Sequence, residues 1–294
     1  MKIILTGSTG FVGRHLARAL LERGDKVYAI IRPQTDLSRL VDGVVPELYE
    51  SCVDQLSSIV ARIKPAVVFH LAARFQDRHA PADIDPLIRD NVTFGTMLAE
   101  AMTRADVRCL VNTGTSWQHY RNASYSPTCL YAATKQALEA ILGYYGDAMG
   151  IKVVTLKLFD TYGPGDQRGK LLSRFVQMVK DGSSLDMSPG EQLIDLVHVR
   201  DVVDAFLKAA YRLTSGQVAT SESYAVSSGS LLKLRELAAI FADCAGTPLR
   251  INWGARAYRE REVMSPWSAG KLVPGWRPRI SLRDGLKELI ADHV

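Results

Sequence analysis

The run Lys2-Ile3-Ile4-Leu5-Thr6-Gly7-Ser8-Thr9-Gly10-Phe11-Val12-Gly13 decides the architecture. Lys2–Thr6, rich in β-branched and apolar side chains, reads as a buried strand. Glycines then fall at positions 7, 10 and 13, and Val12, Leu16 and Leu20 recur every four residues, as on one face of a helix. Gly24 stands where a helix C-cap favours glycine. The spacing G-x-x-G-x-x-G gives a tight strand-to-helix turn. It leaves the backbone free to approach an anion, which the N–H groups opening the helix would face. Glycines in such a turn can also be purely structural, but their place between a first strand and an amphipathic helix favours a dinucleotide pyrophosphate over that reading.

Working outward, strands are predicted at Val27–Ile31, Leu48–Tyr49, Ala66–Leu71, Val107–Asn112 and Val153–Phe159, and helices at Pro86–Thr103 and Tyr131–Met149, the latter stopped by Gly150. Apolar strands alternating with helices mean a parallel sheet covered on both faces, so the fold class is α/β, a doubly wound (Rossmann) sheet. After Gly163-Pro164-Gly165 the rhythm breaks, with shorter strands and helical patterns at Leu171–Lys180, Val202–Tyr211, Leu231–Ala245 and Leu282–Ala291. The expected division is a dinucleotide-binding domain over 1–165, to which 196–228 returns, and a smaller C-terminal α/β substrate-binding lobe over 166–294.

Composition bounds the function. The 294 residues are 47% hydrophobic and 23% charged, enough to bury a core without disulfides or metal. A net charge of +5, spread along the chain and densest at Arg256–Arg261, excludes a nucleic-acid groove and suits small anionic ligands. The four cysteines (Cys52, Cys109, Cys129, Cys244) form no Cys-x-x-Cys pair, so neither a disulfide framework nor a metal site is expected. No apolar run approaches the roughly 20 residues that span a bilayer, and no signal-peptide pattern opens the chain. The expected location is the cytoplasm, with no membrane partner.

Three positions carry chemistry. At the end of the second strand, where an NAD-binding fold presents an acid to the adenosine ribose, stands Arg32. A guanidinium cannot accept from a 2′-hydroxyl but pairs with a 2′-phosphate, so NADP(H) is favoured, with NAD(H) the alternative. Tyr131-Ala132-Ala133-Thr134-Lys135 places a phenol and an ammonium one helical turn apart on one face. A nearby cation stabilises a phenolate and makes the phenol useful in acid–base work. Thr113-Gly114-Thr115-Ser116 brings hydroxyls to the carboxyl edge of the sheet, where ligands bind.

With these pieces in order, the sequence resembles the extended short-chain dehydrogenase/reductase family of nucleotide-sugar enzymes (the NAD-dependent epimerase/dehydratase type), over essentially the whole chain. The matching motifs are Gly7–Gly13, His70-Leu71-Ala72-Ala73, Asn91, Thr113-Gly114-Thr115, Tyr131-x-x-x-Lys135, Tyr162-Gly163-Pro164-Gly165, His198-Val199-Arg200-Asp201-Val202 and Gly275-Trp276-x-Pro278. The stretches 113–120 and 158–164 look like the branch of nucleotide-sugar 4-ketoreductases that includes CDP-abequose synthase.

The resemblance implies an NAD(P)-dependent oxidoreductase in which Tyr131, Lys135 and Thr115 are catalytic. Tyr131 would protonate the sugar C4 oxygen, Lys135 would hold the nicotinamide ribose and lower the tyrosine pKa, and Thr115 would hydrogen-bond that oxygen. The cofactor would lie along Gly7, Thr9, Gly10, Phe11, Val12, Gly13, Arg32, Leu71, Ala72, Ala73, Thr113, Tyr131 and Lys135. Trp117, His119 and Tyr120 would line the sugar pocket or pack their loop. Arg259, or in competition Arg261, would meet the diphosphate. Asn91 would brace the site through backbone contacts, and His198 reads as structural. Relatives commonly form homodimers, so a homodimer is expected.

The departures matter as much. Ser116 and Trp117 stand where 4,6-dehydratases carry an Asp-Glu pair, so dehydration is excluded. Asp160 replaces a common Asn, Ile194 a common Arg, and Ser51-Cys52 the acid usually found near the adenine. The sequence therefore predicts NADPH-dependent reduction of the C4 ketone of a nucleotide-linked 4-keto-6-deoxyhexose. An NAD-dependent 4-epimerase is the alternative. A non-catalytic NADP(H)-binding regulatory protein is disfavoured, because such proteins lose the Tyr or the Lys.

Overall fold

A computed structural model gives the fold and describes residues 1–293. Strand β1 (Lys2–Thr6) is buried from Ile3 to Thr6, as a strand covered on both faces must be. It leads through the glycine turn into α1 (Phe11–Glu22), and Gly24, at φ +79°, closes that helix in the left-handed conformation. Then follow β2 (Lys26–Ile31), β3 (Val45–Leu48), α2 (Val53–Ile63), β4 (Val67–His70), α3 (Ile84–Ile88), α4 (Phe94–Arg104), β5 (Cys109–Thr115), α5 (Leu130–Met149) and β6 (Lys152–Leu158). The remainder comprises β7 (Asp160–Tyr162), α6 (Leu171–Asp181), β8 (Ser184–Met187), β9 (Leu193–Ile194), β10 (Leu196–His198), α7 (Val199–Thr214), β11 (Ser221–Val226), β12 (Leu232–Lys233), α8 (Leu234–Ala245), β13 (Arg250–Trp253) and α9 (Leu282–Ala291).

Seven strands form one parallel sheet in the order β3-β2-β1-β4-β5-β6-β11. The order reverses between β1 and β4, so the loops leaving their carboxyl ends part there and open a crevice for a ligand. One face is packed by α1 and α7, whose Leu16, Leu20, Phe206 and Ala209 bury against Leu5, Phe69 and Leu156. The other is packed by α2, α4 and α5 through Leu56, Leu98, Leu138 and Leu142. Full burial of Phe69 or Phe206 stabilises by roughly 2 kcal/mol each. A third core joins α6, α8 and α9 through Phe175, Phe241 and Leu286. There β8 pairs with β13 and β9 with β12 in two small sheets.

Several expected boundaries move. The third strand is Val45–Leu48 rather than 48–49. The fifth runs on to Thr115, paired as far as Thr115↔Leu158, although its last four residues are Asn, Thr, Gly and Thr. Polar side chains hid that extension, although Asn112–Thr115 are all buried. The expected continuous helix over 86–103 is broken by a π-turn at Arg89–Thr93, between α3 and α4. Its cause is Asn91, fully buried, which accepts from Arg74 N–H at 2.7 Å and donates to Arg74 O and Thr134 Oγ1, both at 3.0 Å. The insertion turns that amide toward the chain leaving β4.

Two motifs far apart in sequence fasten each other. The Asp201 carboxylate accepts from the N–H groups of Arg279 and Ile280, each at 3.1 Å, and Trp276 donates its indole N–H to Asp201 O at 2.9 Å. His198 accepts Arg200 N–H at Nδ1 and caps α7, and its ring packs edge-on against Tyr162. Burial pushes it down to about 4, so it stays neutral as a structural residue.

Candidate active site

The glycine turn is shaped by what lies against it. Gly7 has φ +72°, and a Cβ there would sit 2.7 Å from Ala72 N; one on Gly13 would sit 2.1 Å from Gly7 O. Only glycine lets the loops after β1 and β4 touch, with α1 seated on the turn. Thr6 Oγ1 ties the two strands, bonded to His70 Nδ1 at 2.9 Å and accepting Ala72 N–H at 3.1 Å. Gly10 is the N-cap of α1 and brings no side-chain cap, so the first amides of that helix are open to an anion. Thr9 and Val12 are half-buried, and Phe11 is buried beneath the Arg168 guanidinium, 4.4 Å from its ring centre.

Tyr131 and Lys135 lie one turn apart at the start of α5. Lys135 is 2% exposed, yet its ammonium has no hydrogen-bond partner in the protein. Burial lowers it to about 8. A buried ammonium without a partner is costly, and Lys135, close enough to His70 at the end of β4 to lower its pKa, fits the hydroxyls of a ribose. Thr113 Oγ1 is likewise buried and unpartnered. With the open amides of α1, these donors fit a bound dinucleotide. Leu71 and Ala72 are half-buried and Ala73 exposed on the loop leaving β4.

Tyr131 departs from the simple expectation. Burial raises its phenol above the ordinary value, Cys129 adds to the rise, and Arg168 opposes it; Lys135 does not figure among the groups acting on it. The neutral, protonated phenol is thereby favoured, and burial makes its proton harder to lose. Its ring packs edge-on against Phe75, with centres 5.0 Å apart, and Phe75 also meets Trp117 at 5.7 Å. Thr115 is 8% exposed; its hydroxyl accepts Trp117 N–H at 3.3 Å and its own N–H donates to Gln118 Oε1 at 2.9 Å.

At the end of β2, Arg32 is not a free cation. It reaches Asp90 at 3.5 Å, as does Arg74 at 2.9 Å, and Arg89 flanks the same carboxylate at 3.3 Å. Three guanidiniums thus share one acid, leaving the cluster cationic. Ser51, at φ +66°, and Cys52, the exposed N-cap of α2, stand at the neighbouring strand end.

Beside Tyr131 opens a cleft of about 1260 Å³. Trp117, His119 and Arg259 all line it, as do Tyr120 and Arg261. Tyr131, Lys135 and Thr115 do not; the lining stops at Ser116 on one side and at Cys129 and Phe75 on the other. Arg259 pairs with Asp77 at 3.0 Å, across the mouth from the loop after β4. Arg261 instead donates to Ser126 Oγ at 2.7 Å and lies over the Tyr120 ring. Ile194 adds an apolar wall, while the Asp195 carboxylate is held by Ser227 and Ser228.

Residues 3–225 match the NAD dependent epimerase/dehydratase family. The chain belongs to that family. It is an NAD(P)-dependent enzyme of the extended short-chain dehydrogenase/reductase type, of the nucleotide-sugar-modifying kind. It is 25% identical to a CDP-abequose synthase of Salmonella muenchen over 292 residues, 99% of this chain and 97% of that one. It is 26% identical to a UDP-glucose 4-epimerase of Mycolicibacterium smegmatis, over 99% of this chain and 97% of that one. Among solved structures, MoeE5 in complex with UDP-glucuronic acid and NAD superposes with a TM-score of 0.85, at 25% identity over 99% of this chain and 98% of that one. Among the described residues no helix is long and apolar enough to cross a membrane.

The sequence reading missed Phe75, Lys157, Arg168, Lys170 and Trp267, all side chains at or beneath the cleft. Lys157 alone left a signal: a lysine in the run Val153–Phe159, apolar but for Thr155 and on a strand covered on both faces, must have a partner.

Proposed function

We propose that this enzyme reduces the C4 ketone of a nucleotide-linked 4-keto-6-deoxyhexose with NADPH. The observation that carries the reading is the Tyr131 ring, packed against Phe75, which in turn meets Trp117, with no carboxylate among the described residues beside it of the kind a dehydratase needs. A net reduction needs a proton donor at C4, and an aromatic wall beside it suits a 6-methyl group. Full-length likeness to CDP-abequose synthases supports the same reading.

The dinucleotide, when bound, supplies the hydride that the ketone carbon accepts. Tyr131 gives its proton to the C4 oxygen, and Thr115 directs its hydroxyl to that oxygen and fixes the carbonyl plane. Lys135 holds the nicotinamide ribose, and the Arg168 guanidinium, which lowers the phenol against the effect of burial, eases the departure of the tyrosine proton. Arg259 leaves Asp77 to bind the diphosphate, the exposed pair being worth only about 0–1 kcal/mol. At the adenosine end the surplus of guanidiniums around Asp90 receives the 2′-phosphate of NADPH.

One observation favours a second reading, a 4-epimerase that retains NAD: Asp90 already occupies Arg32, as an acid near the adenosine would in an NAD enzyme. A panel of 4-keto-6-deoxy nucleotide sugars with NADPH, followed by loss of reduced-nicotinamide absorbance, tests the proposal. Stoichiometric oxidation of NADPH is the expected result. Tightly held NAD, released from purified protein on denaturation, together with no net oxidation, replaces it with the epimerase.

A further inference from the structure

Beneath the cleft lies a buried polar chain that none of the foregoing chemistry uses. Lys157, on β6, is 6% exposed. Its ammonium donates to His119 Nε2 at 2.8 Å, lies 3.3 Å from Glu139 Oε2 on α5, and sits 5.6 Å from the centre of the Trp267 ring. Glu139 in turn accepts from Gln118 Nε2 at 2.8 Å, and the other end of that amide accepts the N–H of Thr115. One carboxylate therefore serves both the lysine and the segment carrying the candidate C4 hydroxyl.

An ammonium can only donate, so His119 Nε2 must be the acceptor and its proton must reside on Nδ1. That nitrogen lies 3.1 Å from Ala123 O, the acceptor it requires. Both ring nitrogens are thereby occupied, and the ring stacks on Trp267 with centres 3.9 Å apart and planes 15° apart. Both rings line the cleft. The charged groups facing His119 are Lys157 from β6 and Glu139 from α5. Its own loop presents the carbonyls of Ala123 and Ser124, and Trp267 is uncharged.

We infer that Lys157 is a positioning residue for the sugar site: it locks His119 as the neutral Nδ1–H tautomer and fixes the His119–Trp267 pair as a flat, uncharged wall of the cleft. Such a wall presents ring faces to the C–H side of a sugar and offers it no cation and no free imidazole N–H. Burial and the adjacent ammonium both lower the His119 pKa, in keeping with this arrangement. The inference rests on the proposed sugar site, but the ring state is measured without substrate, so the two stand or fall separately.

The test is heteronuclear NMR of the ¹⁵N-histidine-labelled protein, with kinetics of two variants. In the native protein His119 should show a protonated Nδ1 and an unprotonated Nε2, and should titrate only below the ordinary value for imidazole. An Nε2–H tautomer, or titration near 6.5, overturns the inference without need of any variant. Lys157→Met should let His119 titrate near neutrality and raise KM for the nucleotide sugar about fivefold or more below that point, with kcat changed less than twofold. Lys157→Arg, which keeps the charge and the donor, should restore native KM and its flat pH profile. An equal loss of kcat in Lys157→Met, or failure of Arg to rescue, assigns Lys157 a merely structural role and also overturns the inference.

Discussion

The two sides of the crevice are made of different materials. The side proposed for the dinucleotide is largely backbone: Gly7 and Gly13 in contact with neighbouring main chain, the open amides of α1, and one buried ammonium from Lys135. The side proposed for the sugar is largely long side chains brought from separate segments: Phe75, Trp117, His119, Arg259 and Trp267. A backbone-made site tolerates little change, since an added side chain meets main chain at once. A side-chain-made site can be remodelled one residue at a time, and there the members of a family come to differ. Tyr131 stands on the border, its helix belonging to the first side and its ring packed against the second.

Replacing the border residue should have the largest effect. Tyr131→Phe removes the proposed proton donor but keeps the ring against Phe75. Turnover should fall about 10³-fold, the order expected of a positioned acid, while NADPH affinity, measured by fluorescence titration, stays within about twofold. Near-native turnover would move the acid role to another group and dissolve the border.

Lys135→Met should damage both sides of the comparison, weakening NADPH about tenfold and lowering kcat/KM about 10²-fold. Its titration adds a pH signature. Lys135 is lowered to about 8, so its charged form, and with it NADPH affinity, should decline as pH rises through about 8. The sign for stability is opposite. A lysine whose folded value lies below its ordinary 10.5 destabilises the folded protein at low pH, and this penalty lifts as pH rises from about 8 to 10.5. Melting curves of native protein and Lys135→Met should therefore converge over that window, the variant being the more stable below it. Parallel curves would mean that Lys135 is not the group responsible.

The same contrast governs how much the sequence disclosed. The Rossmann order, the glycine turn and the Tyr131–Lys135 pair all rest on local spacing, which a helix or a strand converts directly into position. The polar end of β5 and the π-turn at Asn91 were not legible, because both are set by tertiary partners: pairing with β6 and the Arg74 backbone. Phe75 was hidden for the same reason, a single aromatic in an aperiodic loop with nothing to announce that it meets Tyr131. The rise in the Tyr131 phenol also escaped, since desolvation depends on what surrounds a side chain rather than on what stands four residues away.

A moderate effect is expected at the adenosine end. Arg32→Asp places two carboxylates among Arg74 and Arg89, and should shift the ratio of NADPH to NADH dissociation constants at least tenfold toward NADH, about 1.4 kcal/mol. An unchanged ratio would take 2′-phosphate recognition away from Arg32.

The smallest effect separates two arginines. Arg259 pairs with Asp77 through half-exposed side chains, whereas Arg261 is held twice, by Ser126 and by the face of Tyr120. A surface ion pair of this kind is nearly neutral in free energy, so a diphosphate displaces Asp77 from Arg259 readily. Displacing Arg261 means giving up a hydrogen bond and a cation–π contact together, a larger sacrifice. Arg259→Ala should therefore raise KM for the nucleotide sugar about fivefold, and Arg261→Ala less than half as much. Asp77→Asn, which frees Arg259 beforehand, should lower KM by about twofold. If instead Arg261→Ala has the greater effect, the diphosphate lies deeper along the Tyr120 loop, and the Arg259–Asp77 pair serves only to tie the two rims of the cleft.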